Sequence, residues 1–285
     1  MKTIGFIGVG VMGRPMVKNL LQAGYAVAVY SRTKSKLTDF LAETGVQWCD
    51  TAAECAAGRD AVITMVGYPQ DVEQVYFGEN GILSAAREGA YLIDMTTTDP
   101  KLAVRIAAEG KARGLHVLDA PVSGGDTGAK NATLSIMVGG EEADFAACLP
   151  LFQAMGRQIV YEGPVGAGQH TKMANQIAIA GTIAGVCEAL FYAERGGLDP
   201  ERLLASISKG AAGSWQMENL MPKMVKEDYA PGFFLKHFIK DMKIAQAQGG
   251  ALPVLERVCA MYGDLEAEGM GDLGTQALIR YYRGE

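Results

Sequence analysis

Histidine and cysteine are scarce in this chain. Three histidines (His116, His170, His237) and five cysteines (Cys49, Cys55, Cys148, Cys187, Cys259) occur in 285 residues, and no two cysteines form a CxxC pair. No Cys/His cluster has metal-ligand spacing and no acidic pair points to a divalent ion, so metal-independent chemistry is expected. An odd set of scattered cysteines fits free thiols in a reducing compartment, which makes a cytoplasmic location the expectation. An excess of basic charge is also missing. The formal net charge is -6, which gives no global pull toward nucleic acid or an anionic membrane. The N-terminal apolar stretch is broken by Gly8, Gly10, Gly13 and Arg14 with no small-residue cleavage site after it, so it reads as a strand and not a leader. The weakly polar run Met173–Tyr192 contains Asn175, Gln176 and Glu188, which favours a buried helix over a membrane span. Low-complexity linkers and internal repeats are absent too.

Apolar residues make up 49% of the chain and charged residues 20%, which is ordinary globular usage. The length suggests two domains. Up to about residue 160, short apolar runs alternate with amphipathic segments, the pattern of a parallel sheet with crossover helices. Strands are expected at 3–7, 26–30, 61–65, 91–94, 116–119, 133–138 and 158–161. Near-continuous apolarity within them implies burial on both faces. After Gly163-Pro164 the rhythm stops. A long helix is expected over about 169–195, rich in alanine and glycine, followed by helices near 200–209, 217–226, 233–248, 253–268 and 275–280. An α/β domain over 1–163 therefore precedes an all-helical domain over 164–285.

Gly8-Val9-Gly10-Val11-Met12-Gly13 matches GxGxxG, a weak signal alone in a chain with 36 glycines. Its context strengthens it. It follows an apolar strand and opens a helix with Pro15 in its first turn, as a dinucleotide-binding loop requires. The glycines permit a tight turn, close approach of a pyrophosphate and packing of helix on strand, while the helix N-terminus stabilises negative charge. Where an NAD-preferring site carries Asp or Glu, about 20 residues on, this chain has Ser31-Arg32-Thr33. An acid there repels a 2′-phosphate, whereas a guanidinium and hydroxyls bind one. NADP(H) is the favoured cofactor, with NAD still usable if Arg32 is simply solvated.

Two further segments stand out. Asp119-Ala120-Pro121-Val122-Ser123-Gly124-Gly125 presents a hydroxyl and flexible backbone N–H groups after a strand, a cradle suited to a carboxylate. Gly166-Ala167-Gly168-Gln169-His170-Thr171-Lys172-Met173-Ala174-Asn175 carries Lys172 into the first turn of the long helix. The step to Asn175 places the two side chains about 60° apart on one face. His170 lies about 200° from Lys172 around the helix and is poorly placed to serve the same atom. His116 reads as structural. His237, three residues before Lys240, is a candidate substrate contact. Phe233, Phe234, Phe238 and Trp215 read as core or cleft lining and not as a nucleic-acid stacking face; Trp215 is a weak specificity candidate.

With these four motifs in order, ending in Lys240-Asp241, the chain resembles the β-hydroxyacid dehydrogenase family, that of 3-hydroxyisobutyrate dehydrogenase and tartronate semialdehyde reductase, over essentially its whole length. The resemblance implies a Rossmann-type, mostly parallel sheet domain joined by a long interdomain helix to an all-α domain that carries the substrate cleft and oligomer contacts. It implies that Lys172 is catalytic and that Ser123, Gly124, Gly125 and Asn175 contact the substrate. It further implies that Val11 and Met12 line the cofactor loop, that Thr97 and the Met65-Val66 turn border the cofactor, and that Lys240 reaches the cleft. The reaction expected is NAD(P)-dependent interconversion of a small 3-hydroxy carboxylate and its oxo acid or semialdehyde. A homodimer or homotetramer is expected, with no nucleic-acid or membrane partner. Two alternatives remain: an imine reductase of the same fold, against which the presence of Lys172 weighs, and a non-catalytic NADP(H)-sensing protein.

Overall fold

Short runs of β-branched and aromatic residues form a nine-stranded sheet in the computed structural model, which describes residues 1–285. The strands are β1 (Thr3–Ile7), β2 (Ala26–Tyr30), β3 (Gln47–Trp48), β4 (Ala61–Thr64), β5 (Tyr91–Asp94), β6 (His116–Asp119), β7 (Val122–Ser123), β8 (Leu134–Gly139) and β9 (Gly156–Gly163). Their order is β3-β2-β1-β4-β5-β6-β8-β7, with β9 on β8. From β3 to β6 every pairing is parallel, and β8 runs antiparallel to β6 and β7. The first six strands thus reproduce the 3-2-1-4-5-6 order of doubly wound dinucleotide folds. Helices connect successive parallel strands, as such crossovers require.

Alternation along each strand explains why both sheet faces are buried. Ile4, Phe6, Val27, Val29, Ala61, Ile63 and Ile93 join one core cluster. Ile7, Ala28, Val62 and Leu92 join a second. Because successive side chains point to opposite faces, these clusters are the two layers that cover the sheet. Register aligns Ile7 with Tyr30 and Thr64, Thr64 with Asp94, and Asp94 with Asp119. The loops after β1, β2, β4, β5 and β6 consequently emerge along one edge, where open α/β sheets bind their ligands.

The chain divides into two compact units, Met1–Lys172 and Met173–Glu285. The long helix Ala167–Arg195 contributes to both. In the second unit Ala180, Ile183, Cys187 and Leu190 of that helix join a core with Met217, Met224, Phe238, Met242, Tyr262 and Leu278. Other helices there start where local chemistry dictates. Asp199 accepts the N–H groups of Glu201 and Arg202 ahead of Pro200, and Ser214 accepts that of Met217, both helix N-caps.

The expected segments 217–226 and 275–280 prove to be composite. The first is two short helices, Trp215–Asn219 and Met221–Val225. Pro222 at the start of the second lacks the N–H needed to continue the first. In the other, a 3-10 turn at Thr275–Ala277 leads into a helix at Leu278–Arg283. Strands β3 and β7 were not expected; with two residues each, they offer no period to read.

Candidate functional site

The glycine-rich loop joins β1 to the helix Gly13–Gln22, and its three glycines have different reasons to be glycine. A Cβ on Gly8, where φ is +99°, would meet the Met65 carbonyl oxygen at 2.2 Å. One on Gly13 would meet the Gly8 oxygen at 2.1 Å. Both glycines are therefore required by packing within the protein. Gly10 differs: a Cβ there would meet nothing within 4 Å. The space beside Gly10 fits the place where a pyrophosphate must approach the backbone, and the helix that follows has no acidic residue in its first turn to oppose an anion. Val11 is exposed and Met12 half-buried on the same loop. These residues fit a dinucleotide.

The remaining predicted cofactor residues lie at the neighbouring strand ends. Ser31, Arg32 and Thr33 follow β2, Met65 and Val66 follow β4, and Thr97 lies in the loop after β5. Arg32 is solvent-facing, and its Nη1 stands 2.9 Å from Asp71 Oδ1. Asp71 is itself held by the Tyr68 N–H at 3.2 Å. Arg32 is thus directed by a partner across the loop, through an exposed pair that contributes little stability.

Under these loops lies a buried polar knot that sequence reasoning missed. Thr64 Oγ1 donates to Asp94 Oδ1 at 2.7 Å, and the Thr96 N–H donates to the same oxygen at 3.1 Å. The Tyr76 hydroxyl is 3.3 Å from Thr64 Oγ1. Thr96 Oγ1 accepts the Val66 N–H at 3.0 Å, tying the turn after β4 to the loop after β5. Asp94 is fully enclosed. Burial pushes its carboxyl up to about 6, against the hydrogen bonds from Thr64 and Thr96 that lower it.

Asp119, at the end of β6, anchors the long helix. Its Oδ1 accepts the Gly166 N–H at 2.7 Å and its Oδ2 accepts the Gln169 N–H at 2.8 Å. It acts as a helix cap from a distant part of the chain, satisfying donors that a helix start otherwise leaves orphaned. Burial raises its carboxyl above the ordinary range, partly offset by these hydrogen bonds. The close approach also explains Gly168. A Cβ there would stand 2.4 Å from the Met137 oxygen and 2.7 Å from the Asp119 oxygen.

Lys172 is 6% exposed. It stands in the second turn of this helix, not the first, because the helix begins at Ala167. A helix dipole acts weakly on a residue so placed, since its effect fades beyond the first turn. His170 is exposed. Ser123 ends β7, and Gly124 and Gly125 follow with φ of +125° and +61°, values glycine alone adopts easily. His116 has a structural partnership, with Nδ1 2.7 Å from Asp144 Oδ1 and its ring stacked on Tyr91.

Within the second unit, Asn175 and Lys240, two of the predicted substrate contacts, belong to one polar chain. Asn175 Nδ2 donates to Gln176 Oε1 at 2.8 Å, Gln176 Nε2 donates to Asp241 Oδ2 at 2.6 Å, and Lys240 Nζ lies 3.0 Å from Asp241 Oδ1. Gln176 and Asp241 are almost fully buried, so each orients a neighbour of greater exposure. Burial lowers the pKa of His237, as do the nearby Lys240 and Lys236 charges, favouring its neutral form. Trp215 is exposed and Phe238 fully buried.

Both parts of the chain match known dehydrogenase domains. Residues 3–163 match the NAD-binding domain of 6-phosphogluconate dehydrogenase. Residues 166–282 match the NAD-binding domain of NADP-dependent 3-hydroxyisobutyrate dehydrogenase. An uncharacterised oxidoreductase of Bacillus subtilis is 53% identical over 99% of each chain. The 2-hydroxy-3-oxopropionate reductase of Escherichia coli is 37% identical, covering 97% of this chain and 96% of its own. The structure of Mycobacterium tuberculosis 3-hydroxyisobutyrate dehydrogenase with L-serine superposes with a TM-score of 0.90 at 32% identity, over 99% of each chain. The chain belongs to the 3-hydroxyisobutyrate dehydrogenase, or β-hydroxyacid dehydrogenase, family of NAD(P)-dependent oxidoreductases.

Proposed function

We propose that the protein interconverts a small 3-hydroxy carboxylate and its oxo acid or semialdehyde, using NADP(H) in preference to NAD(H), with Lys172 as the general acid and base. The observation that carries this reading is a buried lysine, 6% exposed, on a helix whose start is fixed by both oxygens of Asp119. Bound cofactor supplies the hydride in one direction and accepts it in the other. In reduction the Lys172 ammonium stabilises the developing alkoxide and donates its proton to that oxygen; in oxidation the neutral amine takes the proton back. Ser123, Gly124 and Gly125 offer a hydroxyl and N–H groups for the substrate carboxylate. Asn175, oriented through Gln176, and Lys240, paired with Asp241, serve as further polar contacts. His237, held toward its neutral form, is suited to hydrogen bonding without adding charge.

The preference for NADP(H) rests on Arg32 and on the absence of an acidic residue at Ser31-Arg32-Thr33. A spectrophotometric screen of short hydroxy acids and semialdehydes with both cofactors tests the proposal. Turnover of at least one carboxylate-bearing substrate with NADP(H) supports it. No turnover across the panel favours a cofactor-sensing role instead.

A further inference from the structure

Gln169 lies three residues before Lys172 and is fully buried. Both ends of its side-chain amide bond to backbone. Oε1 accepts the Thr98 N–H at 2.9 Å, and Nε2 donates to the Thr96 carbonyl at 2.8 Å. Thr96 and Thr98 flank Thr97, so the amide pairs with the loop after β5 as a neighbouring strand would, across a single residue. Gln169's own N–H is meanwhile held by Asp119. The residue therefore joins two parts of the cofactor-binding unit separated by more than 70 positions in sequence.

We infer that Gln169 is a positioning residue that fixes Thr97 relative to the helical turn carrying Lys172. This rests on the roles proposed for those two residues. A three-residue step places Lys172 about 60° around and about 4.5 Å along the helix from Gln169, so a tilt of the first turn shifts the lysine directly. Glutamine is needed because the site demands one donor and one acceptor at fixed separation. An apolar residue of similar volume leaves a buried N–H and a buried C=O unpaired. An ionised glutamate sets negative charge against the Thr96 carbonyl. The titratable and charged neighbours are Asp119, which holds the Gln169 N–H, Asp94, which holds the Thr96 N–H, and on the helix itself His170 and Lys172. A protonated glutamate restores both bonds: its O–H donates to Thr96 and its C=O accepts from Thr98.

The test uses the full-length protein with Gln169→Met and Gln169→Glu, read by kcat and by the NADPH Kd from cofactor fluorescence. The methionine variant should lose on the order of 10- to 100-fold in kcat and bind NADPH more weakly. The glutamate variant should recover activity relative to wild type at the same pH as pH falls from about 8 to about 6, because its acid form replaces the amide. Unchanged kcat and Kd in the methionine variant overturn the inference. So does a glutamate-to-wild-type activity ratio that is flat with pH, and this readout decides alone if the methionine variant does not fold. A fully active Lys172→Ala would defeat the proposed proton role separately, leaving the Thr97 side of the brace to be judged from the NADPH Kd of the Gln169 variants.

Discussion

The carboxylate of Asp119 accepts the backbone N–H of Gln169 at 2.8 Å while its other oxygen holds Gly166. One side chain at the end of β6 thereby sets where the long helix begins. Asp119→Ala leaves two buried N–H groups unpaired and should lower stability by about 1–3 kcal/mol for each. Asp119→Asn keeps one acceptor and should lose less. Urea denaturation of both variants checks the order.

The glycine-rich loop predicts two opposite phenotypes from the same substitution. Gly13→Ala places a Cβ 2.1 Å from the Gly8 oxygen and should destabilise the fold by about 2 kcal/mol or more. Gly10→Ala meets no protein atom within 4 Å. It should keep wild-type stability and weaken NADPH binding on the order of tenfold, because the methyl group occupies space needed by the pyrophosphate. Thermal denaturation and NADPH titration separate the two effects. Equal Tm losses, with no binding defect at Gly10, would contradict the assignment of this loop.

Arg32 offers a test of cofactor choice. Its exposed pair with Asp71 is weak enough, at about 0–1 kcal/mol, for a 2′-phosphate to share or displace. Arg32→Ala should raise the KM for NADPH on the order of tenfold, the size of one lost charge-assisted contact, and leave that for NADH nearly unchanged. A wild-type enzyme that prefers NADH would refute this assignment.

Asp94 makes stability depend on pH in the direction opposite to a salt-bridged carboxylate. Its folded-state value of about 6 exceeds the ordinary 3.8, so between these values the folded chain binds more protons than the unfolded chain. Stability from this group is full below pH ~4 and falls as pH rises toward ~6, by up to roughly 3 kcal/mol. Asp94→Asn removes this titration. Its stability relative to wild type should therefore improve as pH rises through that window, as followed by urea midpoints. A constant difference between pH 4 and 7 would contradict an elevated Asp94.

Much of the fold was legible because its signals are local and repeated. β2, β4 and β5 carry uninterrupted apolar runs, and the long helix has no internal proline. The two-residue strands β3 and β7 were illegible because pairing with a neighbour, not their own pattern, makes them strands. The antiparallel setting of β8 likewise depends on partners. Among site residues, the glycine loop declares itself through backbone requirements that few other residues meet. Asp94, Gln169, Gln176 and Asp241 did not stand out, although the last three lie in or beside a quoted motif. Their importance comes from burial and from hydrogen bonds to distant segments. Only Asp94, between Ile93 and Met95, carried the local signal of a polar residue among apolar neighbours, and that signal does not identify the partner.

Lys172→Ala isolates the proton transfer proposed for Lys172. On a substrate that the wild-type enzyme turns over, the variant should bind NADPH with unchanged Kd while kcat falls by about 10²–10⁴-fold, the usual contribution of a general acid or base. A variant with wild-type kcat would rule out Lys172 as the proton donor and acceptor.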